Sequence, residues 1–268
     1  NFARLQLGAL LAAIPVVPVS PPYSLMSQDF DKLKHIVQLT TPGIVYAESE
    51  APFARAMQNI ADPDIEFYAA DRDGLAKARD LNELLAGSPG EKLHAAYQQI
   101  DKDSIVKILF TSGSTGMPKG VINTQQMLCS NQQAYWQLWP FLKSKPPVIV
   151  DWLVWNHTFG SCHNFNMMLV NGGTLYIDAG KPLPGLIETT VANLKEISPT
   201  LYFNVPAGYD ALLNYLENDV DLRDTFFRNL DVIYCASASL GERTRQRLND
   251  LSRKVVGTTP PLLSGWGA

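Results

Sequence analysis

The chain has 268 residues, of which 46% are hydrophobic and 18% charged, a balance that supplies a folded core and lies outside the range of disordered segments. Its formal net charge is -4 and its 22 Lys and Arg residues are scattered rather than gathered into a stripe, which excludes the electrostatic footprint of a nucleic-acid-binding surface. Cys129, Cys162 and Cys235 stand far apart with no CxxC or Cys/His ligand spacing, which argues against a disulfide framework or a zinc site and fits a reducing cytoplasm.

Residues 5–19 form an apolar run behind Arg4 that is interrupted by Pro15 and Pro18. It is too short to span a membrane, and the expectation is a buried helix leading into a short strand, with Ser20, Pro21 and Pro22 turning the chain. The chain starts at Asn1 without a methionine and stops at Ala268 just after a Gly-Trp-Gly turn, so both ends read as cuts inside a larger protein. A helical stretch ending near Leu85 is followed by a Gly/Ser/Pro loop at 87–91. That loop reads either as a surface turn or as part of a subdomain boundary near 87–104.

From Ser104 onward short β-rich runs alternate with segments of helical period. Residues 105–110 read as a strand, followed by a glycine-rich loop and a helix over 125–136. Further strands are expected at 148–150 and 174–177, with an apolar helix over 165–170 between them. Leu186, Ile187, Val191, Leu194 and Ile197 share one helical face that Pro199 terminates. A strand over 200–205 leads to a helix with Pro206 in its first turn and Tyr209, Leu212, Leu213 and Leu216 on its apolar face. A strand over 230–236 and a helix over 242–251 complete the series. Such alternation indicates an α/β fold: layered βαβ units whose parallel or mixed sheet is covered by helices on both faces.

The most informative segment is Thr111, Ser112, Gly113, Ser114, Thr115, Gly116, Met117, Pro118, Lys119, Gly120, directly after the 105–110 strand. Its glycines let backbone amides approach a ligand, its hydroxyls add short donors, and Lys119 adds a positive charge, a set that suits a polyphosphate. The Walker A spacing and the G-x-S-x-G frame are both absent, which disfavours a P-loop NTPase and a nucleophile elbow. The run resembles the phosphate-binding signature of the adenylate-forming superfamily, which includes acyl-CoA synthetases, luciferases and nonribosomal adenylation domains.

A second constellation, Trp155, Asn156, His157, Thr158, Phe159, Gly160 with His163 behind it, resembles that superfamily's aromatic/His gate. Together with Asn171, Gly172, Gly173, Thr174, Leu175, Tyr176, Ile177 and Asp178, its wording is similar to feruloyl-CoA synthetases. The resemblance makes His157 a catalytic gate residue and lines the acyl pocket with His157, Phe159 and His163. Aromatic and imidazole walls suit a planar hydroxycinnamate. A third constellation, Ala236, Ser237, Ala238 and Ser239, resembles the adenine-packing loop, with Ala-Ser-Ala where the family usually has Gly-Gly-Ala. Ser264, Gly265, Trp266, Gly267 and Ala268 match the opening of the motif whose aromatic covers the other adenine face.

What the resemblance implies is an incomplete large N-terminal domain over 1–268 of an ATP-dependent acid–thiol ligase. That ligase would activate an aromatic carboxylic acid through an acyl-adenylate with ATP, Mg2+ and coenzyme A. Thr111, Ser112, Gly113, Ser114, Thr115, Gly116 and Lys119 are then expected to hold the ATP phosphates, and Ser237, Ala238, Ser239, Gly265, Trp266 and Gly267 the adenine. No metal ligand is assigned, because the family's magnesium-linked glutamate, ribose aspartate and late lysine would all follow Ala268, and this chain by itself is expected not to make acyl-CoA. Departures are Gln125 where the family often has His, and Val154 where proline is common in the gate. Two alternatives stay open: a domain that loads an amino or aryl acid onto a carrier protein, for which Asp210 is the nearby acidic candidate, and a degenerate nucleotide-binding scaffold.

Overall fold

A computed structural model describes residues 1–72, 78–111 and 116–265. The chain divides into two compact units, Asn1–Met127 and Leu128–Ala268, so the division falls within one helix and the 87–104 region belongs to the first unit.

The first unit opens with α1 (Phe2–Leu11), α2 (Pro22–Leu25) and α3 (Asp31–Thr40). The expectation of a buried leading helix is corrected here, because Gln6 is the buried residue of α1 while Leu11 and Ile14 are exposed. The expected strand after it reduces to one parallel bridge, Val16 to Lys107, in which Val16 N donates to Val106 O and Ile108 N to Val16 O, both at 3.0 Å. βα alternation also begins well before Ser104. β1 (Ile44–Ser49), α4 (Glu50–Asn59), β2 (Glu66–Asp71), β3 (Arg79–Asp80), α5 (Leu81–Leu85) and α6 (Glu91–Gln98) follow in order, with β1, β2 and β3 parallel neighbours. α3 docks here through Phe30 and Leu33 against Ala56 and Ile60, with Val37, Val45 and Phe67 alongside.

β4 (Ile105–Thr111) then pairs antiparallel with β5 (Lys119–Thr124), and α7 (Gln125–Leu138) follows. β5 is an element that the strand–loop–helix expectation omits: the strands on either side of the glycine-rich segment pair antiparallel, with Thr111 and Lys119 as facing residues. A Cβ at Gly120 would lie 3.0 Å from Ile108 Cγ2 and 3.3 Å from Phe110 Cζ, so a larger residue there would press on both side chains.

In the second unit β6 (Val148–Asp151) pairs in parallel with β7 (Thr174–Ile177), with a π-helix at Phe159–Phe165 and α8 (Asn166–Val170) between them. After α9 (Ile187–Glu196) come β8 (Leu201–Asn204), α10 (Pro206–Asn218), α11 (Val220–Arg228), β9 (Val232–Ala236), α12 (Glu242–Val256) and β10 (Leu262–Gly265). The order β8–β9–β10 is parallel throughout. β6 starts beside β8, where Thr200 N donates to Val148 O at 2.9 Å and Val148 N to Thr200 Oγ1 at 2.8 Å.

Period-2 alternation sorts the strand side chains into two cores. Ile149, Leu201, Phe203 and Val232 pack with Trp139, Leu142 and Phe159 on one face. Val150, Tyr202, Ile233 and Cys235 pack against α9, α10, α11 and α12 on the other, where Tyr209, Leu212, Leu213 and Leu216 are fully buried. This is the α/β layering expected from the sequence. Arg247 joins α12 to α10 by a two-pronged contact with Glu217 at 2.6 and 2.7 Å, and Gly257, at φ 75°, ends α12 in the left-handed conformation that glycine adopts without a Cβ penalty.

Candidate functional site

Two groups of candidate residues emerge, one in each unit. In the first, Thr111, Gly116 and Lys119 are exposed at the hairpin tip, and a Cβ at Gly116 would meet nothing within 4 Å. A ligand can therefore approach the backbone there. The rest of the expected phosphate loop, Ser112, Gly113, Ser114 and Thr115, lies outside the described residues. The tip is tied down from a direction that the sequence does not announce. His35 of α3 lies with Nε2 3.1 Å from the Pro118 carbonyl, 83 residues away. A carbonyl only accepts, so Nε2 carries the proton.

In the second unit the candidates gather at the carboxyl ends of parallel strands, where α/β sheets place their ligands. The gate follows β6, the Ser237, Ala238 and Ser239 loop follows β9, and Gly265 ends β10 directly opposite Ala236 in the register. The two segments expected to hold adenine are thus attached to adjacent strands at the same edge. Trp266 and Gly267, the expected stacking aromatic and its neighbour, lie outside the described residues. Ser237 has φ 77°, a left-handed conformation that costs a residue with a Cβ about 1–2 kcal/mol, at the position where the family commonly places glycine. A Cβ at Gly265 would stand 2.0 Å from the Tyr234 hydroxyl, so a larger residue there would require the tyrosine side chain to move.

The gate is built around the π-helix, a geometry frequent at functional sites. Gly160 lets the preceding turn press onto it, for a Cβ there would lie 2.6 Å from the Val154 carbonyl and 2.7 Å from that of Leu153. His157 is exposed at the mouth of this helix. Its Nδ1 accepts from Phe159 N at 3.2 Å, which leaves the imidazole proton on Nε2.

Phe159 and His163, in contrast, are packed inward. Tyr135, Phe159, Phe203 and Tyr234 surround the His163 ring at centroid distances of 4.8, 5.4, 4.9 and 5.3 Å. The ring is oriented by a chain that sequence reasoning missed. Leu153 N and Asn164 Nδ2 donate to the two oxygens of buried Asp151 at 3.0 and 2.9 Å. The Asn164 carbonyl oxygen then faces His163 Nδ1 at 2.7 Å. With the amide fixed by Asp151, Nδ1 must donate, and Nε2 is left as a lone-pair acceptor without a hydrogen-bond partner among the described residues. Burial raises the Asp151 carboxyl to about 6, against the lowering effect of its two donors. Burial pulls the His163 imidazole down to about 4, opposed by its bond to Asn164. His163 is therefore neutral near pH 7, and the wall it forms is aromatic with a single acceptor. Asp210 sits on α10 and accepts from Thr244 Oγ1 at 2.6 Å, a helix–helix contact that already engages it.

Among the described residues no group of three or more His, Cys, Asp or Glu side chains is placed to hold a metal ion, and no helix is long and apolar enough to cross a membrane.

The sequence model of the AMP-binding enzyme family matches residues 2–268. Among curated proteins, the mitochondrial malonate–CoA ligase of Xenopus laevis is 25% identical over 261 residues, covering 95% of this chain and 39% of that protein. An acyl-CoA ligase of Beauveria bassiana is 24% identical over 218 residues, 79% of this chain and 35% of that one. A carboxylic acid reductase of Mycobacterium marinum is 28% identical over 126 residues, 46% and 10% respectively. Solved structures with the same fold include a malonyl-CoA ligase with methylmalonyl-CoA and AMP bound, at TM-score 0.70 and 21% identity, covering 98% of this chain and 48% of that one. ATP-bound MatB from Rhodopseudomonas palustris follows at TM-score 0.69 and 21% identity, covering 98% and 46%. The chain thus spans less than half the length of each of these relatives.

Proposed function

The chain belongs to the AMP-binding enzyme family, and from that premise we propose that it is the nucleotide-facing part of an acid–thiol ligase acting through an acyl-adenylate. In the first half-reaction a carboxylate oxygen attacks the α-phosphorus of ATP and pyrophosphate leaves. In the second, the sulfur of coenzyme A attacks the acyl carbon and AMP departs with the bridging oxygen. The observation that carries this reading is that both adenine segments follow neighbouring parallel strands, with Gly265 in register with Ala236, while the gate follows the carboxyl end of β6 in the parallel pair that starts beside β8.

On this reading Lys119 and the hairpin tip hold the β- and γ-phosphates, and their task is charge stabilisation and positioning. Ser237, Ala238, Ser239 and Gly265 form the adenine side, and the exposed His157 borders the carboxylate. Magnesium would balance the phosphate charge when bound. No cluster of carboxylates among the described residues is placed to hold it.

The acid we propose is a hydroxycinnamate such as ferulate. Support comes from the gate wording and from the aromatic residues gathered around His163. The malonate–CoA ligase named above is named for a different acid, so the choice rests on these residues alone. The test is acid-dependent ATP–pyrophosphate exchange by the full-length protein across ferulate, coumarate, malonate, a long-chain fatty acid and amino acids. Exchange confined to hydroxycinnamates supports the specificity. Exchange with another acid and none with hydroxycinnamates removes the specificity and keeps the reaction.

A further inference from the structure

We infer that His35 is a positioning residue for Lys119, acting through the Pro118–Lys119 peptide; this rests on the reading of Lys119 as a ligand of the ATP phosphates.

Pro118 is buried at a hairpin tip whose neighbours Met117, Lys119 and Gly120 are exposed. A buried backbone carbonyl needs a donor, and among the described residues the antiparallel pairing of β4 and β5 reaches Thr111 and Lys119, the residue after Pro118. Beside that pairing the Thr111 hydroxyl adds only a contact of 3.5 Å to the Lys119 carbonyl, the outer limit of a hydrogen bond. The His35 Nε2–H, at 3.1 Å from Pro118 O, supplies a donor.

What this contact fixes is specific. The Pro118 carbonyl and the Lys119 N–H belong to one rigid peptide plane, so holding the oxygen sets the direction in which Lys119 leaves the loop. His35 can hold it firmly because α3 is itself anchored through Leu33 and Ile36, which are 5% and 1% exposed. The donor role needs an N–H and no charge, so an amide of similar reach should replace it.

The experiment uses the full-length protein and the variants His35→Phe, His35→Gln, Lys119→Ala and His35→Phe/Lys119→Ala. Their KM for ATP, KM for the acid and kcat are read from pyrophosphate exchange, and their ATP affinity by calorimetry. His35→Phe is expected to raise the KM for ATP about 3- to 10-fold, the effect of losing one hydrogen bond, with the KM for the acid unchanged. His35→Gln should return to within about twofold of the parent, on the same hydrogen-bond reasoning. The double variant should be no worse than Lys119→Ala alone, because the two residues act in series. Loss of folded protein would instead lower kcat with both KM values unchanged, and that result overturns the inference. So does a glutamine variant as impaired as phenylalanine, or a phenylalanine variant with the parent's KM for ATP. Should the parent exchange with no acid, the proposed reaction has failed, and the ATP affinities of the same variants decide the role of His35. A parent that does not bind ATP overturns both.

Discussion

Replacing Asp151 with Asn should change how stability depends on pH, in a direction that the gate network dictates. Asp151 is raised from 3.8 to about 6 by burial, so the folded state holds a proton that the unfolded state releases, and stability falls as pH rises between these values. His163 is lowered from 6.5 to about 4 by burial, so the unfolded state holds the extra proton and stability rises with pH over 4 to 6.5. The two effects oppose one another in nearly the same window. At 1.36 kcal/mol per unit, each amounts to about 2 kcal/mol between pH 4.5 and 6.5, and they largely cancel in the parent. Asp151→Asn removes one side of this balance. The amide introduced at that position, donating to a turned Asn164, keeps the chain bonded with its polarity reversed, so the ring remains buried. Urea unfolding at pH 4.5 and 6.5 should then show the variant gaining about 2 kcal/mol over the parent across that interval, and His163→Phe losing a similar amount. Parallel curves for parent and both variants would refute the opposed titrations and the network assigned to this wall.

Two further outcomes follow from backbone strain and from charge. Ser237→Gly should stabilise the second unit by about 0.5–1 kcal/mol, the left-handed penalty less the chain entropy that glycine adds, measured as a shift in urea midpoint; a loss of stability would contradict the φ of 77°. Lys119→Ala should slow pyrophosphate exchange about 10- to 100-fold, as expected for one charge-assisted hydrogen bond, and an unchanged rate removes its role.

The second unit was largely legible in the sequence because its helices are strongly one-sided. The face of Tyr209, Leu212, Leu213 and Leu216 read from spacing is the face buried to 0%, and Pro206 stands in the first turn of α10 as expected. α11 was missed because Asp221, Arg223, Asp224 and Arg228 dilute its pattern, although the Asp219 side chain caps it by accepting from Leu222 N at 3.0 Å and Leu222 and Phe226 are buried on one side. β1 and β2 were missed for a similar reason, since each carries acidic residues, Glu48, Glu66 and Asp71. β5 was hidden by the loop that carries the chemistry, with Lys119, Gly120, Asn123 and Thr124 leaving only Val121 and Ile122 to signal a strand.

At the site, the residue types were readable and their partners were not. Asp151 reaches Asn164 across 13 positions and His35 reaches Pro118 across 83, and no spacing rule connects residues that far apart without the fold. The inward packing of Phe159 and His163 against an exposed His157 likewise depends on the π-helix, whose extra residue per turn rotates side chains away from the faces an α-helical count assigns.

The central claim is that a carboxylate attacks the α-phosphorus of ATP, and the oxygen atoms record it. Ferulate labelled with 18O in both carboxyl oxygens is incubated with ATP, coenzyme A and the full-length protein, and the nucleotide product is analysed by mass spectrometry. The account predicts AMP carrying one 18O together with feruloyl thioester and unlabelled pyrophosphate. ADP accompanied by 18O-labelled phosphate, the signature of an acyl phosphate formed at the γ-phosphorus, would contradict it.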